Sequence, residues 1–418
     1  MEPRAGFDPA ACCLRGSRST GLSYRGRGLA KPVISNGFLK VQQLTQPTSI
    51  LKKTSPLQIN PELHGYLEVL TQEGFFLRKT IPRKDQEKGT VSDLGERKII
   101  DMIKRHLEVM PNMPVPFGDD VSAVELDKSR IAVLKTDMLV GKTDVPKGMS
   151  FWQAARKAIV MNVSDFGAKG VQPTAALVSL GIPADFMTKD IDEIARGLNA
   201  GARQYGLYVI GGDTGESSDL IISVSLFGTA PRRNLMLRNG AKPGDIVAVT
   251  GFFGKTAAGL HLLLDGDAAS TNLTEILLSS ICMPQARLQE GLALGKTRAV
   301  TSSIDSSDGL AWCLHEIARM SNVGFSINSL PVAEEVVRFA EFNNLDAKKL
   351  ALYGGEEYEL VLTVKPKNWV SAETACEAVG GQLLPIGKVT RDNQIILDIN
   401  GHKEPIKPQG YEHFKALA

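Results

Sequence analysis

A mixed α/β fold, divided between two α/β domains, is what this sequence predicts, and three observations carry that expectation. Short β-branched runs bounded by turn residues alternate with helical stretches. The chain has 418 residues, and a domain usually takes roughly 100 to 200, which makes two to three domains. Its 43% hydrophobic and 22% charged residues are close to the globular average, so there is apolar material for more than one core.

Taken in order, residues 1–60 carry Arg4, Arg15, Arg18, Arg25 and Arg27 among Gly, Ser and Pro with no sustained helix or strand period, and read as disordered or only locally ordered. The arginines and serines give a superficial likeness to an organelle transit peptide, but Asp8 and the glycines break any amphipathic helix there. An over-extended gene start is a third explanation. Residues 61–80 have room for one short helix, Arg83–Lys88 reads as a charged linker, and residues 1–90 together form an extension without a metal or nucleotide motif. From Leu94 the pattern changes. Ile99, Ile100, Ile103 and Leu107 share one face of a helix expected over Glu96–Val109 and stopped by Met110-Pro111. Strands are expected at Ile131–Leu134, Leu207–Ile210, Leu220–Phe227, Ile246–Val249 and Leu360–Val364, and helices at Phe151–Lys169, Asp190–Tyr205 and Ser307–Met320. Lys242-Pro243-Gly244-Asp245 reads as a turn into a new strand, which sets the domains at 91–240 and 241–418.

Composition narrows the function. Lys plus Arg (48) nearly balances Asp plus Glu (46), and a net charge of +2 gives no general field for nucleic acid or an anionic membrane. Forty glycines with 6% aromatics suit a phosphate handler better than a base-stacking platform. Five cysteines (Cys12, Cys13, Cys282, Cys313, Cys376) with no Cys-x-x-Cys or Cys/His ligand spacing point to a reducing, cytoplasmic location without structural zinc. No run of apolar residues is long enough to span a bilayer.

The informative feature is a series of acidic motifs beside Gly, Ser or Thr: Gly118-Asp119-Asp120, Thr136-Asp137, Asn162-Val163-Ser164-Asp165, Gly211-Gly212-Asp213-Thr214, Asp305-Ser306-Ser307-Asp308-Gly309 and Gly354-Gly355-Glu356-Glu357. Hard cations such as Mg²⁺ take carboxylate oxygens and keep waters for bridging to phosphates. Any one of these aspartates taken singly is ordinarily an N-cap or turn residue. Thr136-Asp137, expected at the carboxyl end of a strand, and Asp305 with Asp308, flanking a helix start, resist that account better. Gly251-Phe252-Phe253-Gly254-Lys255-Thr256 is not a P-loop, which needs four residues between its glycines. It reads as a turn into a helix over Thr256–Leu264, with phosphate contact at that helix N-terminus as the alternative. His106, His261 and His315 lack metal-ligand partners in the pattern, and Trp152 and Trp312 read as packing groups.

In order along the chain these motifs resemble the thiamine-monophosphate kinase family, within the superfamily of aminoimidazole ribonucleotide synthetase, selenophosphate synthetase and a hydrogenase-maturation dehydratase. Arg238-Asn-Gly-Ala-Lys-Pro-Gly-Asp245, Ala257-Ala-Gly-Leu260, Gly355-Glu-Glu-Tyr-Glu-Leu360 and Gly410-Tyr-Glu-His-Phe414 complete the likeness, which covers about Leu94 to Phe414. The resemblance implies a mixed-sheet N-terminal domain that forms a barrel in a homodimer, joined to an α/β C-terminal domain. It implies Mg²⁺ ligands at Asp120, Thr136, Asp137, Asp165, Asp213, Asp305 and Asp308, ATP contacts at Gly212, Asp213, Arg238 and Ser307, and thiamine monophosphate contacts near Glu356 and Tyr411. Asp144 stands where bacterial members carry His, as in archaeal members, and is expected to reach the substrate phosphate through Mg²⁺ or Lys142. Glu356-Glu357 replaces the usual Glu-Asp. The implied reaction is ATP-dependent phosphorylation of thiamine monophosphate without a general base. The rivals are a sibling synthetase of the superfamily and, from the arginines of the first 27 residues alone, a nucleic-acid binder.

Overall fold

The computed structural model describes residues 90–414, so the expectations for the extension up to residue 89 lie outside the described residues. The first half runs α1 (Val91–Leu94), α2 (Glu96–Lys104), β1 (Ser122–Glu125), β2 (Arg130–Val140), α3 (Gly141–Asp144), α4 (Phe151–Lys169), β3 (Pro173–Ile182), α5 (Thr188–Gln204), β4 (Tyr208–Glu216) and β5 (Ile221–Pro231). The second half runs β6 (Ile246–Val249), α6 (Lys255–Leu264), α7 (Thr271–Cys282), α8 (Leu288–Thr297), β7 (Val300–Asp305), α9 (Leu310–Ser321) and β8 (Gly324–Ile327). It continues through α10 (Glu334–Asn343), α11 (Ala347–Tyr353), β9 (Leu360–Val364), α12 (Trp369–Glu377), β10 (Leu384–Thr390), β11 (Ile395–Ile399) and β12 (His402–Pro405).

Each half is built on one mixed sheet. The first has five strands in the order β1-β2-β5-β3-β4, with only β3 and β4 parallel. The second has seven, β12-β11-β8-β10-β6-β9-β7, with only β8 and β11 parallel. Strands β6 and β9 coincide with the expected runs because helices cover both faces of their sheet, and burial on both faces yields unbroken apolar sequence. Val247, Val249 and Val361 face Leu314 and Ile317 of α9, while Ala248, Leu360 and Leu362 face Leu294 of α8 and Cys376 of α12.

The strand expected to Phe227 continues to Pro231 and the helix expected from Ser307 begins at Leu310, and three further elements differ in ways that bear on the site. The helix foreseen to Val109 ends at Lys104, because Ile100, Ile103 and Leu107 are 46%, 54% and 50% exposed and no core holds its last turn. The strand foreseen to Leu134 continues to Val140, because Lys135 and Asp137 are paired beneath the sheet and do not interrupt it. Thr136-Asp137 is therefore within β2 and not at its carboxyl end. The strand foreseen at Leu207–Ile210 extends through Gly211-Gly212-Asp213-Thr214, and a Cβ on Gly212 would collide with the Val178 carbonyl oxygen of neighbouring β3.

Helix α4 matches its expected bounds and positions the site. Ser150 caps it, accepting the Gln153 amide at 3.2 Å, and Gly170 closes it in the left-handed conformation. Apolar residues occur on every side of it, so it lacks a solvent face and most of its residues are buried. Val163 and Phe166 enter the core of the first half, and Ala168 enters that of the second. The charges it carries, Arg156, Lys157, Asp165 and Lys169, are consequently buried and must find partners.

Candidate active site

Strand β2 has alternate side chains on opposite faces. Lys135, Asp137 and Leu139 point inward to α4, while Leu134, Thr136 and Met138 point outward. Register carries the two faces across the sheet: Asp137, Val224, Val178 and Gly212 form an inner row, and Met138, Ser223, Ser179 and Asp213 an outer one. The expected metal ligands are thereby split. The Thr136 hydroxyl donates to the Val224 carbonyl at 3.1 Å and accepts from Ser225 Oγ at 3.0 Å on the outer side, and Asp213 is exposed there as well.

On the inner side the other carboxylates converge. Asp120, Asp165 and Asp305, all buried, offer oxygens within 4.8 Å of one another. They come from the Gly-Asp-Asp loop, from α4 and from the end of β7, so both halves of the chain contribute. Lys135 Nζ lies 3.2 Å from Asp137 Oδ1 and 3.0 Å from Asp165 Oδ2. Lys169 Nζ lies 2.7 Å from Asp119 and 2.6 Å from Asp120, and donates to the Ser303 carbonyl at 2.7 Å. Arg238 is engaged with the same loop: Nε donates to Asp120 Oδ1 at 2.7 Å, Nη2 also pairs with Asp120, and Nη1 donates to the Gly118 carbonyl at 3.0 Å. Asp305 receives only the Ser164 hydroxyl, at 2.8 Å, and makes no ion pair among the described residues.

Charge states follow the partners. Burial works against the charge of Asp120, but Arg238 and Lys169 outweigh it and hold its carboxyl below the usual range. Burial pushes Asp165 well above the carboxylate range despite Lys135, with Asp305 and Asp137 adding to the rise. Burial, followed by the charge of Asp120, raises Asp305 to about 7. Asp308 is raised to about 6 by burial, against the pull of Arg97. Without a further cation the centre is short of positive charge.

The donor set suits a hard divalent cation: three buried carboxylates converge, and Asp120 Oδ2 has no hydrogen-bond donor, since Lys169 approaches it outside hydrogen-bond geometry. Asp308, expected in the same set, pairs with Arg97 at 3.1 Å, and the Arg97 guanidinium also stacks 3.7 Å from the centre of the Trp312 ring. Trp312 is thus a stacking platform for an arginine, where the sequence pattern suggested simple packing.

A second group gathers around the loop before α9. The Ser307 carbonyl accepts the Glu356 amide at 2.7 Å, the Asp308 carbonyl accepts the Tyr411 amide at 3.2 Å, and a Cβ on Gly355 would contact both Ser307 and Tyr411. Glu356 takes a left-handed backbone with φ of 61°. Its carboxylate lies 2.7 Å from Nζ of the buried Lys157, which also donates to the Asp144 carbonyl at 3.1 Å. Lys157 thus ties the Asp144 backbone to Glu356. The Asp144 carboxylate itself accepts the Val140 amide at 2.7 Å, and the Lys142 amide donates to Asp219 at 3.0 Å. Glu357 accepts the amides of Gly254 and Thr256 at 2.7 and 3.0 Å, which fills the start of α6 where a phosphate was the alternative. His315 Nε2–H donates to the Ile406 carbonyl at 2.9 Å, whereas His261 does have acidic neighbours, Asp265 at 2.8 Å and Asp267 at 3.2 Å, on the surface.

Comparison with known proteins fits this geometry. Residues 118–230 match the N-terminal domain of AIR synthase related proteins, and residues 242–400 match the C-terminal domain. Thiamine-monophosphate kinase of Nitrosopumilus maritimus (strain SCM1) is 34% identical over 325 residues, covering 78% of this chain and 100% of the relative. The enzyme of that name from Pyrococcus horikoshii is 36% identical over 317 residues, covering 75% and 96%. The chain belongs to the thiamine-monophosphate kinase family. Among solved structures, AaThiL complexed with AMPPCP and TMP superposes with a TM-score of 0.69 at 29% identity, covering 78% of this chain and 99% of that one.

For this member of the thiamine-monophosphate kinase family, sequence motifs located the aspartates but not their counter-charges. Lys135, Lys157, Lys169 and Arg97 belong to none of the motifs that the sequence singles out. The signal was present in α4: a helix that is apolar on every side has no solvent face, so Lys157 and Lys169 had to be buried and paired.

Proposed function

We propose that this chain transfers the terminal phosphoryl group of ATP directly to the phosphate of thiamine monophosphate, forming thiamine diphosphate. One observation carries the proposal: the convergence of Asp120, Asp165 and Asp305 in a chain whose full-length relatives are thiamine-monophosphate kinases. The acceptor is a phosphate monoester with a second pKa of about 6, already largely a dianion at neutral pH. No residue need remove a proton. The demand is alignment and charge neutralisation as two anions approach.

Asp120, Asp165 and Asp305, with Asp137 alongside, would hold Mg²⁺, and Asp308 completes the acidic rim. Mg²⁺ bound there supplies charge neutralisation to the donor phosphates. Thr136 leaves this set as a side-chain ligand, because its hydroxyl is on the other face of the sheet. Arg238 and Lys169 fix the Asp120 loop, while Lys157 fixes Glu356 and the Asp144 turn. Ser307, Glu356 and Tyr411 form the neighbouring wall, where we place the boundary between nucleotide and thiamine. Gly212 and Asp213 are offered to the nucleotide from the exposed strand β4.

A homodimer is part of the proposal. Strand β4 is an edge strand, and the outer face of its sheet exposes Leu134 (41%), Met138 (54%), Leu177 (52%) and Phe227 (39%), an apolar surface suited to a second copy. A cytoplasmic location is supported by the free thiols of Cys282, Cys313 and Cys376. No helix among the described residues is long and apolar enough to cross a membrane.

The test is ATP consumption by the full chain against thiamine monophosphate, formylglycinamidine ribonucleotide and selenide. Thiamine diphosphate formed stoichiometrically with ADP from the first alone is the expected result. Turnover of either rival with none of thiamine monophosphate would reassign the chain to a sibling activity.

A further inference from the structure

The acidic centre has two unlike ends. At one end Lys135 reaches between Asp137 and Asp165, 3.2 and 3.0 Å from their oxygens, from a side chain only 19% exposed. At the other end the Asp305 carboxylate accepts the Ser164 hydroxyl and makes no ion pair among the described residues. A divalent ion bridging Asp137 and Asp165 would sit about 2.1 Å from each oxygen, in the space that the Lys135 ammonium fills. The two cannot share it. Charge gives the same result: Asp119, Asp120, Asp137, Asp165 and Asp305 face the fixed cations Lys135, Lys169 and Arg238, and Asp308 has its own partner in Arg97. Counted with every carboxylate ionised, the state in which they would hold a metal, the excess is two negative charges, which one divalent ion neutralises.

We propose that Lys135 is a resident cation of this centre, filling the Asp137–Asp165 bridge so that the nucleotide-free protein takes up one divalent ion, at the Asp305 end, where its carboxylates alone would hold two. This rests on the reading of the acidic cluster as a Mg²⁺ centre. Lys135 then performs part of the neutralisation that a second ion would otherwise perform. Its charge is delivered by a strand residue, so it is present at every Mg²⁺ concentration. Replacement by an uncharged side chain opens the bridge and deepens the charge deficit, and both changes favour a second ion.

The experiment counts Mn²⁺, a hard ion of the same oxygen preference, bound without nucleotide to the full chain, from the free-ion paramagnetic resonance signal; every sample carries His261→Ala to remove the separate His261, Asp265 and Asp267 group, and the natural sequence here means Lys135 retained. The expected counts are one per chain for the natural sequence, one for Lys135→Arg and two for Lys135→Met. Thermal unfolding with and without Mn²⁺ accompanies it, with the larger stabilisation expected for Lys135→Met. Equal counts for the natural sequence and Lys135→Met, or two ions in the natural sequence, overturn the proposal. If Lys135→Met does not fold, Lys135→Gln makes the same comparison: two ions support the proposal and one overturns it. Because no substrate is present, a failed kinase assay beside a one-ion count would sink the proposed reaction and leave the Lys135 assignment standing.

Discussion

The two faces of the five-stranded sheet are made by the same strands and could hardly differ more. On the inner face every described charge of β2 is held in an ion pair: Lys135 sits between Asp137 and Asp165 under a cover of α4. On the outer face the residues one position along, Leu134, Thr136 and Met138, are exposed beside Leu177 and Phe227. A single strand thus supplies a buried ionic centre and an open apolar surface through the alternation of its side chains. A motif such as Thr136-Asp137 cannot act as a unit in a strand, since its two side chains belong to different surfaces.

The sharpest way to break that contrast is Lys169→Met. Its side chain is fully buried between Asp119 and Asp120, and its loss strands two carboxylates. Removal of one partner from a buried pair costs about 3 to 5 kcal/mol. Thermal or urea unfolding should show that loss, whereas unfolding unchanged within error would mean the inner charges are not coupled as described.

Asp305→Asn should act in the opposite direction on stability. Burial raises the Asp305 carboxyl to about 7, so its charge opposes folding when no metal is present. The amide removes that charge, and stability in the absence of divalent ions should rise by roughly 1 to 2 kcal/mol. Turnover should fall at least about 100-fold, a loss of the size seen when one electrostatic contact to a transition state is removed. A variant that is both less stable and fully active would refute the placement.

Glu357 gives a smaller effect with a defined pH sign. Burial lifts its carboxyl to about 7 from the ordinary 4.5, against the Thr256 and Gly254 amides. The folded state keeps the proton to higher pH than the unfolded state, so this group's contribution declines as pH rises from 4.5 to about 7. Glu357→Gln should flatten that part of the stability profile by about 1 to 3 kcal/mol. An identical slope in both proteins would contradict the burial.

Smallest in its effect on the fold should be the outer face. Leu177→Lys with Phe227→Lys should leave each chain folded, and unfolding compared at a dilution where both proteins are monomers should agree within about 0.5 kcal/mol, as for surface substitutions generally. The same pair should convert the proposed homodimer to monomer in sedimentation. Retained dimers would move the interface elsewhere.

How much of this was legible beforehand differs by residue type. Helix α4 and strands β6 and β9 were readable because periodicity and apolar runs survive burial. Strands β1 and β3 and the strands from β7 onward, other than β9, went unassigned, since short runs such as Val300–Asp305 are mostly polar and depend on their neighbours for order. The aspartates were legible as motifs. Their distribution over two faces was not, because it depends on the full length of β2 and on the register linking it to β4 through β5 and β3. The lysines were not, because a cation's partner is set by tertiary structure.

One feature of α4 reaches beyond the site. Its Gly167 lies so near α8 that a Cβ on Gly291 would collide with the Gly167 carbonyl oxygen, and Gly170 is similarly close to Gly295. The same helix places Phe166 in one hydrophobic core and Ala168 in the other. Neither sheet can lose its packing while the other keeps it, because the helix that would have to let go belongs to both. Heating should therefore melt residues 90–414 in one cooperative step, with calorimetric and van't Hoff enthalpies equal, even though the chain matches its family as two separate domains.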